Sequence, residues 1–188
     1  MKNTIKYLIL LIIYLVCGVN LQAQNYTFRN VVMSDGLSGL LVNAIYKDSE
    51  GFVWLGTDNC LDRFDGVKVR HYEFRGVDSG RKKRVNCITE TADNQLWVGN
   101  GIGLWRLNRA NGQLERIVPE KIDFAVNTLL PDGDILYIGT EKGLFIQKDG
   151  QLLQVLTDRN MLAACNRIMD LCLNEDKSAL WLATVQGL

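Results

Sequence analysis

The sequence predicts an all-β fold built from repeated four-stranded antiparallel sheets. Two features carry this prediction. An apolar motif with a central aromatic residue recurs at intervals of 40 to 44 residues, and turn-forming residues interrupt the chain about every ten residues, which leaves little room for helices. The chain has 188 residues, of which 47% are hydrophobic, and is therefore long and apolar enough to form a core.

The first 23 residues differ in composition from the rest of the chain. Lys2 and Lys6 precede an unbroken apolar run over residues 7–17, and the small residue Ala23 follows. This order is typical of a cleaved secretory signal peptide. A membrane anchor is the alternative, but a helix of this run would span only about half of the roughly 30 Å hydrocarbon core. We therefore predict that residues 1–23 are removed on export and that the mature chain has no transmembrane helix.

A hairpin begins each repeat. The aromatic residues of the recurrent motif are spaced 43, 40 and 44 residues apart: Trp54, Trp97, Tyr137 and Trp181. Upstream of each lies an asparagine that opens a shorter apolar run: Asn43, Asn86, Asn127 and Asn166. Between the two runs lie clusters of Asp, Asn, Gly and Pro, which favour tight turns. Each repeat therefore starts with two antiparallel strands, and the four aromatic residues are expected at equivalent buried positions.

Further strands follow the hairpins. Third strands are predicted over 61–66, 103–107 and 143–146, and outer fourth strands over 67–74 and 151–157. The second strands are apolar at every position instead of alternating, so both of their faces must be buried. A β-sandwich leaves one face of each sheet in water, whereas a β-propeller blade has neighbours on both faces. The sequence therefore predicts propeller blades, and only residues 161–170 have the composition for a helical turn.

The repeat boundaries divide the mature chain into an entry segment and four blades. The entry segment, with an outer strand over 26–33, covers 24–42, and the blades cover 43–85, 86–126, 127–165 and 166–188. The fourth repeat stops within its own motif, before a third and a fourth strand. We therefore expect about three and a half four-stranded antiparallel blades in an incomplete ring, with open strand edges of the kind that invite association.

The first repeat resembles the two-component regulator propeller repeats of hybrid two-component sensor proteins from polysaccharide-degrading bacteria. The residues that carry the resemblance are Asn43, Ile45, Asp48, Gly51, Trp54, Gly56, Thr57, Leu61, Arg63, Asp65 and Gly66. Residues 35–38 also resemble the entry segment of the family. The sequence departs from the repeat at Cys60, where the pattern has glycine, so the turn after Asn59 is expected to be strained or differently shaped.

The resemblance implies a ligand-sensing segment rather than an enzyme. In such receptors a signal peptide precedes a periplasmic sensor of many repeats, a transmembrane helix that anchors the protein in the inner membrane, and a cytoplasmic histidine kinase. Complete members recognise oligosaccharides and regulate genes for polysaccharide use. On this interpretation the chain is an exported, periplasmic N-terminal piece, truncated before the membrane and kinase parts. Its expected partners are an oligosaccharide and either the remainder of the receptor or a second copy.

Few residues of the mature chain suggest chemistry. Removal of the signal peptide leaves 19 basic against 21 acidic residues, so no nucleic-acid partner is expected. The lone histidine, His71, is interpreted as a partly exposed strand residue. Asp48, Asp93 and Asp132 are interpreted as equivalent turn residues, because a single catalytic site would not need one acid in each repeat. We therefore predict no catalytic residue, no metal site and no cofactor.

Three residues are candidates for ligand contact: Arg81, Lys83 and Trp105. Arg81 and Lys83 belong to a basic run between the first two blades, which suits an anionic sugar or a partner domain, with a solvated loop as the alternative. Trp105 lies in a third strand, where it would stack on a sugar or pack between blades. A propeller-fold glycosidase or lyase and a secreted interaction scaffold are the competing functions.

Four cysteines remain after removal of the signal peptide: Cys60, Cys87, Cys165 and Cys172. An oxidising compartment permits three complete pairings among them, and their spacings match no zinc signature. We interpret them as small buried apolar residues.

Overall fold

A computed structural model describes residues 5–7, 28, 30–77, 83–117, 121–155 and 167–187. The chain forms two compact units, Met1–Asn30 and Val31–Leu188. In the first unit residues 5–7 are helical, and most of the predicted signal peptide lies outside the described residues. Among the residues that are described, no helix combines the length and the apolar composition needed to cross a bilayer.

The second unit is built from short strands. A 3-10 helix, Met33–Asp35, precedes the first of them. The first sheet contains β1 (Val42–Lys47), β2 (Val53–Thr57), β3 (Leu61–Phe64) and β4 (Val69–Tyr72). The second contains β5 (Val85–Glu90), β6 (Leu96–Asn100), β7 (Gly103–Asn108) and β8 (Gln113–Ile117). The third contains β9 (Val126–Asp132), β10 (Ile135–Thr140), β11 (Gly143–Lys148) and β12 (Gln151–Gln154). The fourth contains β13 (Ile168–Leu173) and β14 (Leu180–Thr184).

Each sheet consists of consecutive antiparallel strands in chain order, and none closes on itself. We call these sheets blades 1 to 4. Asn94 and Lys177 adopt the left-handed conformation in the turns between the first two strands of blades 2 and 4, where the sequence has its turn-forming clusters. The all-β class and the open four-stranded antiparallel blades are therefore confirmed, with blade 4 described as a two-stranded sheet.

The recurrent aromatic residues occupy one register position. Each pairs with a residue of the first strand of its blade and lies two residues before a glycine or alanine: Trp54 with Tyr46, Trp97 with Thr89, Tyr137 with Leu130, and Trp181 with Cys172. The spacing of 40 to 44 residues between the aromatic residues is therefore the spacing between equivalent positions of successive blades.

The burial of these aromatic residues decreases along the chain. Trp54 and Trp97 are buried, Tyr137 is half-buried and Trp181 is 55% exposed. The first three pack against the first two strands of the following blade, whereas no strand follows β14 among the described residues. The prediction that all four are buried is therefore wrong for Trp181. Cys172, which lies opposite Trp181, is likewise exposed instead of buried.

A glycine in the second strand lets successive blades approach closely. A Cβ atom on Gly99 would lie 2.6 Å from Val126, the first residue of blade 3. A Cβ atom on Gly139 would lie 2.7 Å from Ile168, the first residue of blade 4. These distances are shorter than any van der Waals contact, so the recurrent glycine is required by packing between blades.

One local prediction is wrong, and a second lies mostly outside the described residues. Residues 26–33 are predicted as an outer strand, but the described residues 28 and 30–32 have no regular structure and Met33 begins the 3-10 helix. A strand needs a partner, and no described strand pairs with this segment. Of residues 161–170, the only segment with the composition for a helical turn, residues 161–166 lie outside the described residues, and residues 168–170 belong to β13.

Candidate functional site

A cavity of about 360 Å³ brings together residues of the entry segment, blade 1 and the approach to β5. Its lining residues are Ser38, Asn59, Cys60, His71, Glu73, Phe74 and Lys83. A concave surface with a few convergent polar groups is the usual form of a binding site. This cavity is therefore the candidate site, and it includes Lys83 from the predicted set.

The buried carboxylate of Asp62 connects the polar groups of this site. Its Oδ1 lies 2.7 Å from Nδ1 of His71 and 3.3 Å from Sγ of Cys60. Its Oδ2 accepts hydrogen bonds from the backbone N–H and the hydroxyl of Ser38, at 2.8 and 2.7 Å. Asp62 has no exposed surface, so these partners replace the water that a carboxylate would otherwise bind.

Strand geometry explains why three of these side chains meet. Asp62 of β3 and His71 of β4 are direct partners in the sheet, and directly opposed residues present their side chains on the same face. Cys60 precedes Asp62 by two positions, so alternation places its side chain on that face as well. The group forms from residues that are close in sequence.

Ser38 reaches the site because the entry segment is fixed to the turn between β2 and β3. Asn59 Nδ2 donates a hydrogen bond to the carbonyl of Ser38 at 2.7 Å. The hydroxyl of Ser38 lies 2.9 Å from that of Thr57, which itself donates to the carbonyl of Cys60 at 2.9 Å. The entry segment therefore contributes directly to the site.

The turn at Cys60 differs in shape from its counterparts in blades 2 and 3. Gly103 and Gly143 occupy the equivalent position with φ of 147° and 116°, which a side chain disfavours. The described non-glycine residues with positive φ are Asn94, Asp149 and Lys177. Cys60 therefore carries its side chain without the backbone strain that this position would impose in the other two blades.

Neither the thiol nor the hydroxyl of the site is activated as a nucleophile. Burial raises the pKa of the Cys60 thiol to about 12, and the charge of Asp62 adds to the rise, so the thiol stays protonated at neutral pH. The hydroxyl of Ser38 is hydrogen-bonded to Asp62 rather than to the imidazole of His71. A serine or cysteine nucleophile needs a base that accepts its proton, and this arrangement does not provide one.

The three predicted ligand contacts are in different environments. Arg81 lies outside the described residues. Lys83 is half-buried and lines the cavity. Trp105 is 1% exposed, donates from Nε1 to Asn100 at 3.2 Å and packs edge-on against Phe74 with ring centroids 5.0 Å apart. Trp105 therefore packs between blades 1 and 2, which is contrary to a role in sugar stacking.

Sequence reasoning missed the group around Asp62. It treated His71 as an isolated strand residue and Cys60 only as a replacement for glycine. A local signal was present, because the alternation of a strand places Cys60 and Asp62 on one face. The contribution of Ser38, which is 24 positions from Asp62, had no comparable signal.

Asp48 has a structural role in the turn between β1 and β2, as the sequence predicts. Its carboxylate accepts hydrogen bonds from Trp54 Nε1 and from the backbone N–H of Phe52, both at 2.8 Å. In blade 2 the equivalent acceptor is the hydroxyl of Thr91, which receives Trp97 Nε1 at 3.1 Å. Thr91, not the predicted Asp93, is therefore the counterpart of Asp48.

Comparison with known proteins identifies the repeat. Residues 36–59 match the family model described as two component regulator propeller. The match begins in the entry segment, covers β1 and β2, and ends immediately before Cys60. Histidine kinase P4 of Formosa agariphila is 32% identical over 79 residues, which cover 42% of this chain and 6% of that protein.

Solved structures share the fold. The extracellular domain of a hybrid two-component system from B. thetaiotaomicron aligns with a TM-score of 0.66 at 21% identity, over 79% of this chain and 21% of that chain. Virginiamycin B lyase from Staphylococcus aureus aligns with a TM-score of 0.59 at 18% identity, over 75% of this chain and 48% of that chain. The chain thus spans less than half the length of these proteins, and likeness at such identities shows the fold alone. Residues 36–59 are thus similar to the two component regulator propeller repeat, and the strand register of that repeat recurs in blades 2 and 3.

Proposed function

We propose that the chain is a ligand-sensing propeller segment of a hybrid two-component sensor, which responds to an oligosaccharide and regulates the use of polysaccharides. The observation that carries the proposal is the family match of residues 36–59, in a chain whose blades repeat one strand register. The histidine kinase relative supports it, because its name describes a signalling protein. On this proposal the segment binds a ligand and transmits the change to the remainder of the receptor.

We place this segment outside the cytoplasm, in the periplasm. Residues 1–23 have the basic, apolar and small-residue order of a signal peptide. The B. thetaiotaomicron relative is described as an extracellular domain. N-terminal sequencing of the exported protein is expected to begin near Gln24. Recovery of the exported chain with residues 1–23 still attached would contradict this placement.

A binding role fits the chemistry of the cavity better than a catalytic role. Lys83 and Asn59 offer donors and Glu73 offers an acceptor, while Phe74 offers an apolar surface. Hydroxyl-rich ligands are recognised by such mixtures of polar and apolar groups. The thiol of Cys60 is protonated at neutral pH, so it is not available as a thiolate nucleophile.

Calorimetric titration of the full chain with neutral and anionic oligosaccharides tests the function. We expect one sugar class to bind and Lys83→Ala to weaken its binding about tenfold, which corresponds to about 1.4 kcal/mol. Lys148→Ala, at the exposed end of β11, is the matched control and should leave affinity unchanged. Failure of every sugar to bind would contradict the proposal. Cleavage of a sugar would instead favour the glycosidase or lyase alternative.

A further inference from the structure

We propose that Cys60, Asp62 and His71 form a zinc-binding site on blade 1, a role that goes beyond ligand sensing and does not depend on it. The three side chains offer sulfur, oxygen and nitrogen, the donor types that zinc prefers in proteins. Their ligand atoms all lie within 4.8 Å of one another. Two of them, Sγ of Cys60 and Nδ1 of His71, approach the same oxygen of Asp62.

Little rearrangement would bring these atoms around one ion. Zinc lies about 2.3 Å from sulfur and about 2.0 to 2.2 Å from nitrogen or oxygen, so ligand atoms of a tetrahedral site are about 3.3 to 3.8 Å apart. The distance of 3.3 Å between Cys60 Sγ and Asp62 Oδ1 is about 0.3 Å shorter than the roughly 3.6 Å expected for a sulfur and an oxygen ligand. The distance of 2.7 Å between His71 and Asp62 must lengthen by less than about 1 Å. The His71 side chain is 48% exposed and has room to rotate.

Comparison with the other complete blades shows what is unusual at Asp62. Asp62 pairs with the residue that directly follows the recurrent aromatic residue of the second strand. In blades 2 and 3 the residues at this position are aromatic and buried: Trp105 and Phe145. A carboxylate there gives up apolar packing and buries a charge, which costs free energy unless the charge is compensated. The hydrogen bonds from Ser38 already compensate part of this cost, and a bound cation would add to them. Cys60, in place of the repeat's glycine, adds a second ligand on the same face.

Ser38 holds the carboxylate in a suitable orientation. Its N–H and hydroxyl both donate to Oδ2 of Asp62, which leaves Oδ1 directed at Cys60 and His71. Hydrogen bonds of this kind orient the carboxylates that ligate metals. The cavity beside Cys60 and His71 gives access to a fourth position, which a water molecule would occupy.

Zinc binding is tested on the full chain, purified without a histidine tag, treated with a chelator and titrated with zinc in the absence of sugar. We expect one zinc ion per chain and a rise in the midpoint of thermal unfolding, because an ion that binds only the folded state stabilises it. Cobalt in place of zinc should displace the thiol proton of Cys60 into solvent and show a thiolate-to-cobalt absorption band, which should be lost when Cys60 is replaced. Ser38→Ala should weaken affinity about 10- to 100-fold.

The ligand variants are Cys60→Gly, which restores the residue of the repeat, and His71→Ala, which changes an exposed side chain and should not impair folding. Each should abolish stoichiometric zinc and the thermal shift. Cys172→Ala, at an exposed free cysteine, is the control and should change neither. The proposal is overturned if the chain retains no zinc, or if both ligand variants bind zinc as tightly as the unaltered chain.

Discussion

At the scale of the residue, one position determines whether a blade has an aromatic core residue or a polar site. Asp62 in blade 1 corresponds to Trp105 and Phe145 in blades 2 and 3. The two aromatic side chains contribute buried apolar area, whereas Asp62 depends on its hydrogen-bond partners. Blade 1 therefore lacks the apolar packing of an aromatic side chain at this position and has the hydrogen bonds of Asp62 instead.

The amide variant Asp62→Asn should destabilise the chain. It puts an NH₂ group where one carboxylate oxygen accepts a hydrogen bond, so a buried donor or acceptor loses its partner at a cost of about 1 to 3 kcal/mol. Urea denaturation measures this loss as a lower free energy of unfolding. Glu141→Gln, at an exposed carboxylate, should change it by less than about 0.5 kcal/mol. Equal values for the two variants would contradict the role assigned to Asp62.

Cys87 should make stability depend on alkaline pH. Burial raises the pKa of its thiol from 9.0 to about 12, and the charge of Asp170 adds to the rise. The folded chain then keeps a proton that the unfolded chain loses, so the Cys87 contribution is complete below pH 9 and is lost as the pH rises toward 12. Denaturation at several alkaline pH values should show a shallower decline for Cys87→Ala. An identical decline would exclude this contribution.

At the scale of the element, successive blades pack against each other at a glycine of one blade and a β-branched residue of the next. The first residue of each following blade lies over the glycine of the preceding second strand, as Val126 does over Gly99 and Ile168 over Gly139. Blade 4 has Ala183 at the glycine position, so a side chain that docked there would need to lie farther from the strand. The spacing between blades is therefore controlled by the residue at this position.

Gly99→Ala should destabilise the contact between blades 2 and 3. The added methyl group would lie 2.5 Å from Cys87 Sγ and 2.6 Å from Val126, and overpacking of this kind costs about 1 to 3 kcal/mol. Because Val126→Ala removes one clashing group, the double variant should lose less stability than the sum of the single variants. Denaturation of the four proteins measures this coupling. Strict additivity would show that the two residues do not clash.

At the scale of the whole molecule, the first and last sheets present apolar side chains to solvent. Ile45 of blade 1 is 71% exposed. Trp181 of blade 4 is 55% exposed, whereas Trp54 and Trp97, which occupy the same register position in blades 1 and 2, are buried. Stacked repeats derive much of their stability from contacts with neighbours. Over the part of the chain that the structure describes, blades 1 and 4 therefore have apolar surface that is available for association.

Trp181→Glu should reduce self-association of the isolated chain. Light scattering after size-exclusion chromatography should show a concentration-dependent mass above that of one chain, and the charged variant should shift it toward the monomer. Val67→Glu, at an exposed residue of the turn between β3 and β4, is the control and should leave the mass distribution unchanged. A monomeric chain at all concentrations would contradict this prediction.

The sequence by itself determined the repeat, the hairpins and the apolar second strands. These features depend on turn residues and on side-chain patterns within a few positions, as the shared register of Trp54, Trp97 and Tyr137 illustrates. Such local patterns are visible without knowledge of what the strands pack against.

Only the tertiary structure decided which of these residues are buried and which form a site. The sequence allowed Trp105 either to stack on a sugar or to pack between blades, and the structure buries it between two blades. Trp181 is exposed because no described sheet covers it. The polar site needs Ser38 of the entry segment to reach Asp62 of β3, a contact between residues 24 positions apart. Burial and convergence depend on the neighbours that folding supplies from distant parts of the chain, and a local pattern does not specify those neighbours.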